Sequence, residues 1–258
     1  MLVWQHKFML MISLAYIILH HLTAKAEFSA SHSLIMFLQN HSFQFLDGLF
    51  RLIAEVGLGF FSLLPFLFVL LDSQIIRALR FTVWFTIGIG VHAILQTSFE
   101  APRPWWIYSD VIAKVCNTDM GSPSGYSFLS MASCLLLHYI YTIDNNSRNL
   151  TFTKRKAWSI LTFILVFAVG ASCIYLGANS HDQVLLGFAF AVTYTATVLE
   201  VLDPLLIQRL NKLKIREHVL TIRSTLIQAG IWLILFFLPF YIYLARVYFF
   251  DIDEKWIR

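Results

Sequence analysis

Long apolar segments limit the fold of this chain more than any other feature of its sequence. There are seven, approximately Phe8–Leu22, Leu52–Leu71, Leu79–Ser98, Tyr126–Ile143, Trp158–Ala178, Gln183–Leu202 and Thr225–Phe249. A helix needs about 20 predominantly apolar residues to cross the hydrocarbon core of a bilayer, and all but the first segment approach that length. The sequence therefore predicts an all-α integral membrane protein, a bundle of about six or seven transmembrane helices.

The composition excludes an ordinary soluble domain. Charged residues make up 13% of the chain and hydrophobic residues 58%, whereas about a quarter of the residues in soluble domains are charged. The formal net charge of +4 is modest and gives no support for nucleic-acid binding. The 3 cysteines are too few for a disulfide framework, and no C-x-x-C pair is present.

The connections between the apolar segments predict an orientation. Most Lys and Arg residues fall on one side when the connections are assigned alternately to the two sides of the membrane, and this side is expected to face the cytoplasm or matrix. The first segment is short and is interrupted at its end by His20-His21. We expect it to be a weak span or an anchor.

Three motifs lie on the opposite side of the membrane. QTSFEAPRPWW (Gln96–Trp106) leaves the third segment, and CNTDMGSPSGY (Cys116–Tyr126) enters the fourth. SCIYLGANSHDQV (Ser172–Val184) connects the fifth and sixth segments. Their shared side predicts that the two flanking motifs meet at the start of the fourth segment.

The order and spacing of these motifs resemble those of the type-2 phosphatidic acid phosphatase superfamily. Their residues are most similar to those of its glucose-6-phosphatase branch. The resemblance implies the helical bundle of the phosphatidic acid phosphatase/haloperoxidase fold. It divides a single transmembrane domain, 1–258, into an N-terminal anchor helix (1–32), a phosphatase-like core (33–202), and a basic loop with a C-terminal transmembrane helix (203–258).

The family's chemistry depends on particular residue types. A lysine and two arginines bind the phosphate dianion through charge-assisted hydrogen bonds. A serine and a glycine at a helix N-terminus contribute a hydroxyl and backbone N–H donors. One histidine attacks the phosphorus atom, and a second histidine protonates the leaving alcohol.

The positions that bind phosphate in the family are partly kept here. The first arginine is Arg103, and the serine and glycine are Ser124 and Gly125. The lysine falls on Gln96 and the second arginine on Cys173, so two of the three positive charges are missing. Arg103, Ser124 and Gly125 are therefore the residues expected to bind an anion.

The positions that react in the family are not kept. The nucleophilic histidine falls on Asn179, whose amide has no lone-pair nitrogen to attack phosphorus, and its orienting partner on Gln183. The proton-donating histidine falls on Tyr126, and tyrosine has an ordinary pKa of about 10, which matches neutral acid catalysis poorly. No catalytic residue is expected. The open alternative is that His181, beside Asp182, replaces the nucleophile.

Some of these features also have a purely structural interpretation. Arg103 could pair with Glu100 or Asp110 instead of binding an anion, and Ser122–Gly125 could be an ordinary helix N-cap and first turn. The ionisable residue His92 lies inside a predicted span. Ionisable groups at such positions are functional candidates by default.

Together these features predict a catalytically inactive, phosphatase-like membrane protein. It is expected to act as a structural or accessory subunit, or a partner-binding scaffold, of a membrane complex, with a phospholipid headgroup as the ligand best suited to the remnant site. The alternative is a diverged lipid- or sugar-phosphate phosphatase that uses His181. Membrane lipids and proteins of the complex are the expected partners. No cofactor, metal or nucleic acid is expected. The sequence does not distinguish the endoplasmic reticulum from the mitochondrial inner membrane.

Overall fold

The computed structural model of the protein describes residues 2–55, 75–99, 101–115, 119–143 and 152–215. Every regular element within these ranges is helical, which confirms the predicted all-α membrane fold. The predicted last span, Thr225–Phe249, and most of the second, Leu52–Leu71, lie outside the described residues.

Eight α-helices follow one another along the described ranges. They are α1 (Leu2–Asn40), α2 (Gln44–Glu55), α3 (Ile75–Phe99), α4 (Pro104–Ile107), α5 (Gly125–Leu137), α6 (Phe152–Tyr175), α7 (His181–Thr197) and α8 (Asp203–Ile215). A π-helical turn extends α5 over His138–Ile143, and a second extends α7 over Val198–Leu202.

Within the described part of the chain, three helical stretches are long and apolar enough to cross a bilayer. They are Phe8–Asn40, Leu79–Ile107 and His181–Arg209. Two shorter apolar helices, Gly125–Ile140 and Ser159–Tyr175, correspond to the fourth and fifth predicted segments. These helices place the chain in the membrane, as the sequence predicts.

Helix α1 is longer than the first predicted segment, because it continues far beyond Leu22 to Asn40. Polar side chains on either side of the predicted end bond to one another along the helix. Glu27 accepts hydrogen bonds from Thr23 Oγ1 at 2.6 Å and Tyr16 OH at 3.3 Å, and it lies 3.1 Å from His20 Nδ1. The helix therefore crosses residue 32, and the division into anchor and core at that residue stays a prediction.

Helices α5 and α7 approach each other closely, and this contact positions the candidate site. A Cβ added at Gly187 of α7 would lie 2.7 Å from the carbonyl oxygen of Ser124, just before α5, and 3.1 Å from Ser127 Cβ. Small residues at helix interfaces permit such close backbone approach in membrane proteins. The absence of a side chain at Gly187 therefore allows the start of α5 to lie directly against α7.

A buried ion pair joins α3 to α8. Arg80 Nε donates to Asp203 Oδ1 at 3.0 Å, and Arg80 Nη2 contacts Asp203 Oδ2. Trp84 Nε1 donates to the same carboxylate at 2.8 Å. Both charged side chains are almost fully buried, and buried charges are tolerated in proteins when they are paired and hydrogen-bonded in this way.

Candidate functional site

The three sequence motifs meet at the N-terminus of α5, as predicted. Gly121 N donates to Ala101 O at 2.8 Å, which joins the segment before α5 to the segment after α3. Ser124 N donates to Gln183 O at 3.0 Å, which joins it to the start of α7. Backbone hydrogen bonds between all three segments therefore fix the geometry of the site.

Arg103 is buried at the centre of this meeting point, and its guanidinium bonds to protein groups on several sides. Nη1 donates to Ala178 O at 2.6 Å and Nε to Asp119 O at 2.8 Å. Nη2 donates to Asp119 Oδ1 at 2.6 Å and, more weakly, to Met120 O at 3.5 Å. The retained arginine is thus an ion-pair partner of Asp119.

Asp110, one of the two residues considered as an alternative partner of Arg103, pairs with a different side chain. Asp110 Oδ2 lies 2.9 Å from His32 Nε2 on α1, and Glu100 lies outside the described residues. Asp119 was not anticipated as a site residue. The only signal for it in the sequence is an acidic residue two places before the GSPSG turn.

Gln96 contacts the same carboxylate as Arg103. Its Nε2 donates to Asp119 Oδ2 at 2.7 Å and to Met120 O at 2.5 Å. Gln96 and Arg103 occupy the positions to which the resemblance assigns a lysine and an arginine that bind phosphate. Here each of the two side chains binds one carboxylate oxygen of Asp119.

Ser124 and Asn179 are direct hydrogen-bond partners. Ser124 Oγ donates to Asn179 Oδ1 at 3.2 Å, and Ser127 Oγ donates to Ser124 Oγ at 3.2 Å. Asn179 Nδ2 donates to Gly121 O at 2.7 Å and contacts Gln183 Oε1 at 3.3 Å. The Asn179 amide therefore bonds to the turn before α5 with its nitrogen and its oxygen.

Gln183 connects this network to the first motif. Its Nε2 donates to Pro102 O at 2.7 Å, and its Oε1 accepts from Ser180 N at 3.1 Å at the start of α7. A Cβ at Gly121 would lie 2.6 Å from Gln183 Nε2. A side chain at position 121 would therefore have to displace the Gln183 amide.

Cys173 and Tyr126 are both buried. The Cys173 carbonyl accepts hydrogen bonds from Ala178 N at 3.0 Å and Asn179 N at 3.2 Å, closing the turn between α6 and α7. Its thiol lies beside Ser172 and Ser124. Tyr126 forms part of the apolar core of the bundle, so two positions that the resemblance assigns to polar catalytic residues contribute to packing.

His92 and Gly125 are in close contact on the α3 side of the turn. His92 Nε2 lies 3.1 Å from Pro123 O, and a Cβ at Gly125 would lie 2.8 Å from His92 Cε1. The His92 ring therefore packs against the backbone of the turn at Pro123 and Gly125. Sequence reasoning identified His92 only as an ionisable residue within a span.

His181 lies at the interface between α1 and α7. Its backbone N donates to Ser31 Oγ at 3.2 Å, and its Nδ1 is in short contact with the same hydroxyl. Ser31 Oγ also donates to Asp182 Oδ1 at 3.1 Å. The structure thus pairs the His181 imidazole with a side chain of α1. In the part of the chain that is described, no group of three or more His, Cys, Asp or Glu residues is arranged to hold a metal ion.

Comparison with known proteins identifies the fold and the family. The model of the PAP2 superfamily matches residues 60–207, more than half of the 258 residues. The transmembrane PAP2 type phosphatidylglycerolphosphate phosphatase from Bacillus subtilis has a similar structure. It superimposes with a TM-score of 0.61 at 17% identity, over 78% of this chain and 97% of that one.

A second solved structure, LpxE from Aquifex aeolicus, superimposes with a TM-score of 0.51 at 21% identity, over 65% of this chain and 93% of that one. No curated protein sequence matches the chain. Both structural likenesses concern the fold, and the family match covers all three motifs. The chain belongs to the PAP2 superfamily.

Proposed function

We propose that this protein is a catalytically inactive member of the PAP2 superfamily that serves as a structural or accessory subunit of a membrane complex. The residues of its motifs further suggest that it belongs to the glucose-6-phosphatase-like branch of this superfamily. The observation that carries the proposal is Asn179, whose side-chain amide stands at the nucleophile position and bonds to Ser124 and Gly121.

Nucleophilic catalysis in this family requires an imidazole nitrogen with a free lone pair. The nitrogen of an amide is conjugated with its carbonyl and has no such lone pair. The Nδ2 atom of Asn179 also donates its protons to Gly121 O and Gln183 Oε1. Asn179 therefore has no atom that could bind the phosphoryl group in a phosphoenzyme intermediate.

The other catalytic functions also lack a suitable group. Tyr126, at the position of the general acid, belongs to the apolar core. The positive charge of Arg103 is paired with Asp119. Loss of a single group that stabilises the transition state can reduce a rate by about 10²–10³, and here several are replaced together.

A different role for the same residues accounts for their burial and bonding. Three chain segments are joined through buried or partly buried hydrogen bonds of Arg103, Ser124, Asn179 and Gln183. Satisfied buried networks make a fold rigid and specific. A scaffold held together in this way supports a role in assembly, because helix packing depends on different residues from those that react.

A diverged lipid- or sugar-phosphate phosphatase that uses His181 is the second candidate. Family membership favours it, and the neighbour from Bacillus subtilis is a phosphatase of a lipid phosphate. It would require the His181 ring to leave Ser31 and to reach Arg103 and Ser124. The contacts of Ser31 with both His181 and Asp182 argue against that movement.

Two experiments test the proposal. Purification of the full chain from its native membrane in mild detergent, followed by mass spectrometry, is expected to recover a defined set of protein subunits in fixed stoichiometry. Recovery of the chain alone would contradict the accessory role. Hydrolysis of phosphatidate that disappears in His181→Ala, and persists in His41→Ala, a control at an exposed histidine beside Phe37 O, would favour the second candidate instead.

A further inference from the structure

The carboxylate of Asp119 bridges two side chains that stand at phosphate-binding positions. Its Oδ1 accepts from Arg103 Nη2 at 2.6 Å, and its Oδ2 accepts from Gln96 Nε2 at 2.7 Å. The Asp119 backbone oxygen accepts from Arg103 Nε at 2.8 Å. Two donors from the first motif thus bind two oxygens of one anion, which is how they would bind a phosphate group.

We infer that Asp119 occupies the anion-binding position of this chain and keeps phosphate groups away from Arg103. The inference rests on the proposed function, because it concerns the same site. It adds a specific cause for weak phosphate binding, an internal carboxylate that competes for the arginine. Phosphate groups of free phosphate and of lipid headgroups are the ligands that Asp119 would exclude.

The charge balance at the site supports this inference. Arg103 and Asp119 cancel each other, and Gln96, Ser124 and Asn179 are neutral side chains. A phosphate dianion would therefore enter without a net positive charge to offset its desolvation, and burying an unpaired charge is strongly unfavourable. Removing the Asp119 charge leaves the site with one unbalanced cation.

The exposed fractions of the Arg103 and Asp119 side chains indicate which of the two an added anion can displace. The Arg103 side chain is 3% exposed, whereas the Asp119 side chain is 54% exposed. The arginine is held from within by Ala178 O, and the carboxylate approaches it from the solvent side. An added anion would reach Arg103 from that side, so it must compete with Asp119.

One buried hydroxyl adds an unused donor to the same turn. Ser122 is 1% exposed, and among the residues described its Oγ has no hydrogen-bond partner. Ser122 lies directly after Gly121 and two residues before Ser124. The turn therefore contains one buried hydroxyl whose hydrogen-bonding capacity is unused.

The test compares Asp119→Asn and Asp119→Ala with the wild type and with Asp110→Asn. Asp110 is a matched control, because its side chain is 53% exposed and forms its own ion pair with His32. Full-length protein in lipid nanodiscs is titrated with ³²P-labelled orthophosphate at neutral pH. Circular dichroism and gel filtration establish that each variant is folded.

We expect Asp119→Asn and Asp119→Ala to bind orthophosphate about tenfold more tightly than the wild type, the change that corresponds to one charge-assisted hydrogen bond that phosphate no longer has to replace. Asp110→Asn should match the wild type, and adding Arg103→Gln to Asp119→Asn should abolish the gain. Nanodiscs that contain labelled phosphatidate test the lipid headgroup in the same variants, and the same order is expected.

Equal binding by the wild type and both Asp119 variants, whether strong or undetectable, would overturn the inference. An equal gain in Asp110→Asn would overturn it too, because the effect would then reflect net charge alone. Phosphate release by the wild-type sample would instead contradict the proposed function. The binding comparison is made with orthophosphate, which is not turned over, so the two failures are distinguishable.

Discussion

Ser124 Oγ donates a hydrogen bond to Asn179 Oδ1 across 3.2 Å, deep within the bundle. Both side chains are almost fully buried. In a reactive PAP2 site the resemblance places a phosphate group between these two positions. Here the hydroxyl and the amide bind each other, so residues at reactive positions stabilise the fold.

Replacing Asn179 is therefore expected to weaken the protein itself. Asn179→Ala leaves Gly121 O without its donor and Ser124 Oγ without its acceptor. An unsatisfied buried polar group costs about 1–3 kcal/mol. Thermal unfolding in detergent should show this loss, and Asn40→Ala, at an exposed asparagine, should show none. An unchanged unfolding midpoint for Asn179→Ala would exclude a structural role for the network.

Close packing of α5 and α7 predicts opposite effects at two helical glycines. Gly187→Ala places a methyl group 2.7 Å from Ser124 O, so the helices must separate, at a cost of about 1–3 kcal/mol. Gly48→Ala meets no atom within 4 Å, so we expect a neutral effect or a gain of up to about 1 kcal/mol. Both are measured as unfolding midpoints, and equal effects would contradict the packing.

Replacing one partner of the ion pair between α3 and α8 should lower the free energy of unfolding. Asp203→Asn removes the carboxylate that pairs with the buried Arg80 guanidinium, and losses of about 3–5 kcal/mol are typical when one partner of a buried ion pair is replaced. Trp84→Phe removes a single hydrogen bond to Asp203 and should cost about 1 kcal/mol. Chemical unfolding of both variants in the same detergent checks the order, and the reverse order would contradict it.

Ser31 is expected to determine how firmly α1 is held. Ser31→Ala removes the hydrogen bonds to His181 N and Asp182 Oδ1, so α1 should separate from α7 more readily. Limited proteolysis should cut within α1 several-fold faster than in the wild type. Thr197→Ala, which removes an exposed bond within α7, is the control. Equal cleavage rates in both variants would show that this contact does not hold α1.

The fold and the meeting of the motifs were predictable from the sequence because they depend on local patterns. Apolar length predicted the helices, and motif order predicted that Arg103, Ser124 and Asn179 would come together. The partners of individual charges were not predictable in this way. Arg103 pairs with Asp119 across a loop, and Asp110 pairs with His32 on a distant helix.

The length of α1 was missed for a related reason. His20 and His21 interrupt the apolar pattern, and apolar length takes no account of the hydrogen bonds that Glu27, one to three turns along the same helix, makes with Tyr16, His20 and Thr23. The role of His181 depended likewise on Ser31, which is 150 residues earlier in the chain. The Ser31–His181 pair is long-range, so only the folded structure brings it together, whereas the bonds of Glu27 are local to one helix.

The most direct test of catalytic inactivity is phosphate release by the purified wild-type chain in nanodiscs, with phosphatidate and phosphatidylglycerolphosphate as substrates. Because Asn179 offers no nucleophilic nitrogen and Asp119 pairs with Arg103, we expect release to equal that of empty nanodiscs and of Asn179→Ala. Phosphate release well above both controls, saturating with substrate and lost in Arg103→Gln, would contradict the proposal that this member of the PAP2 superfamily is catalytically inactive.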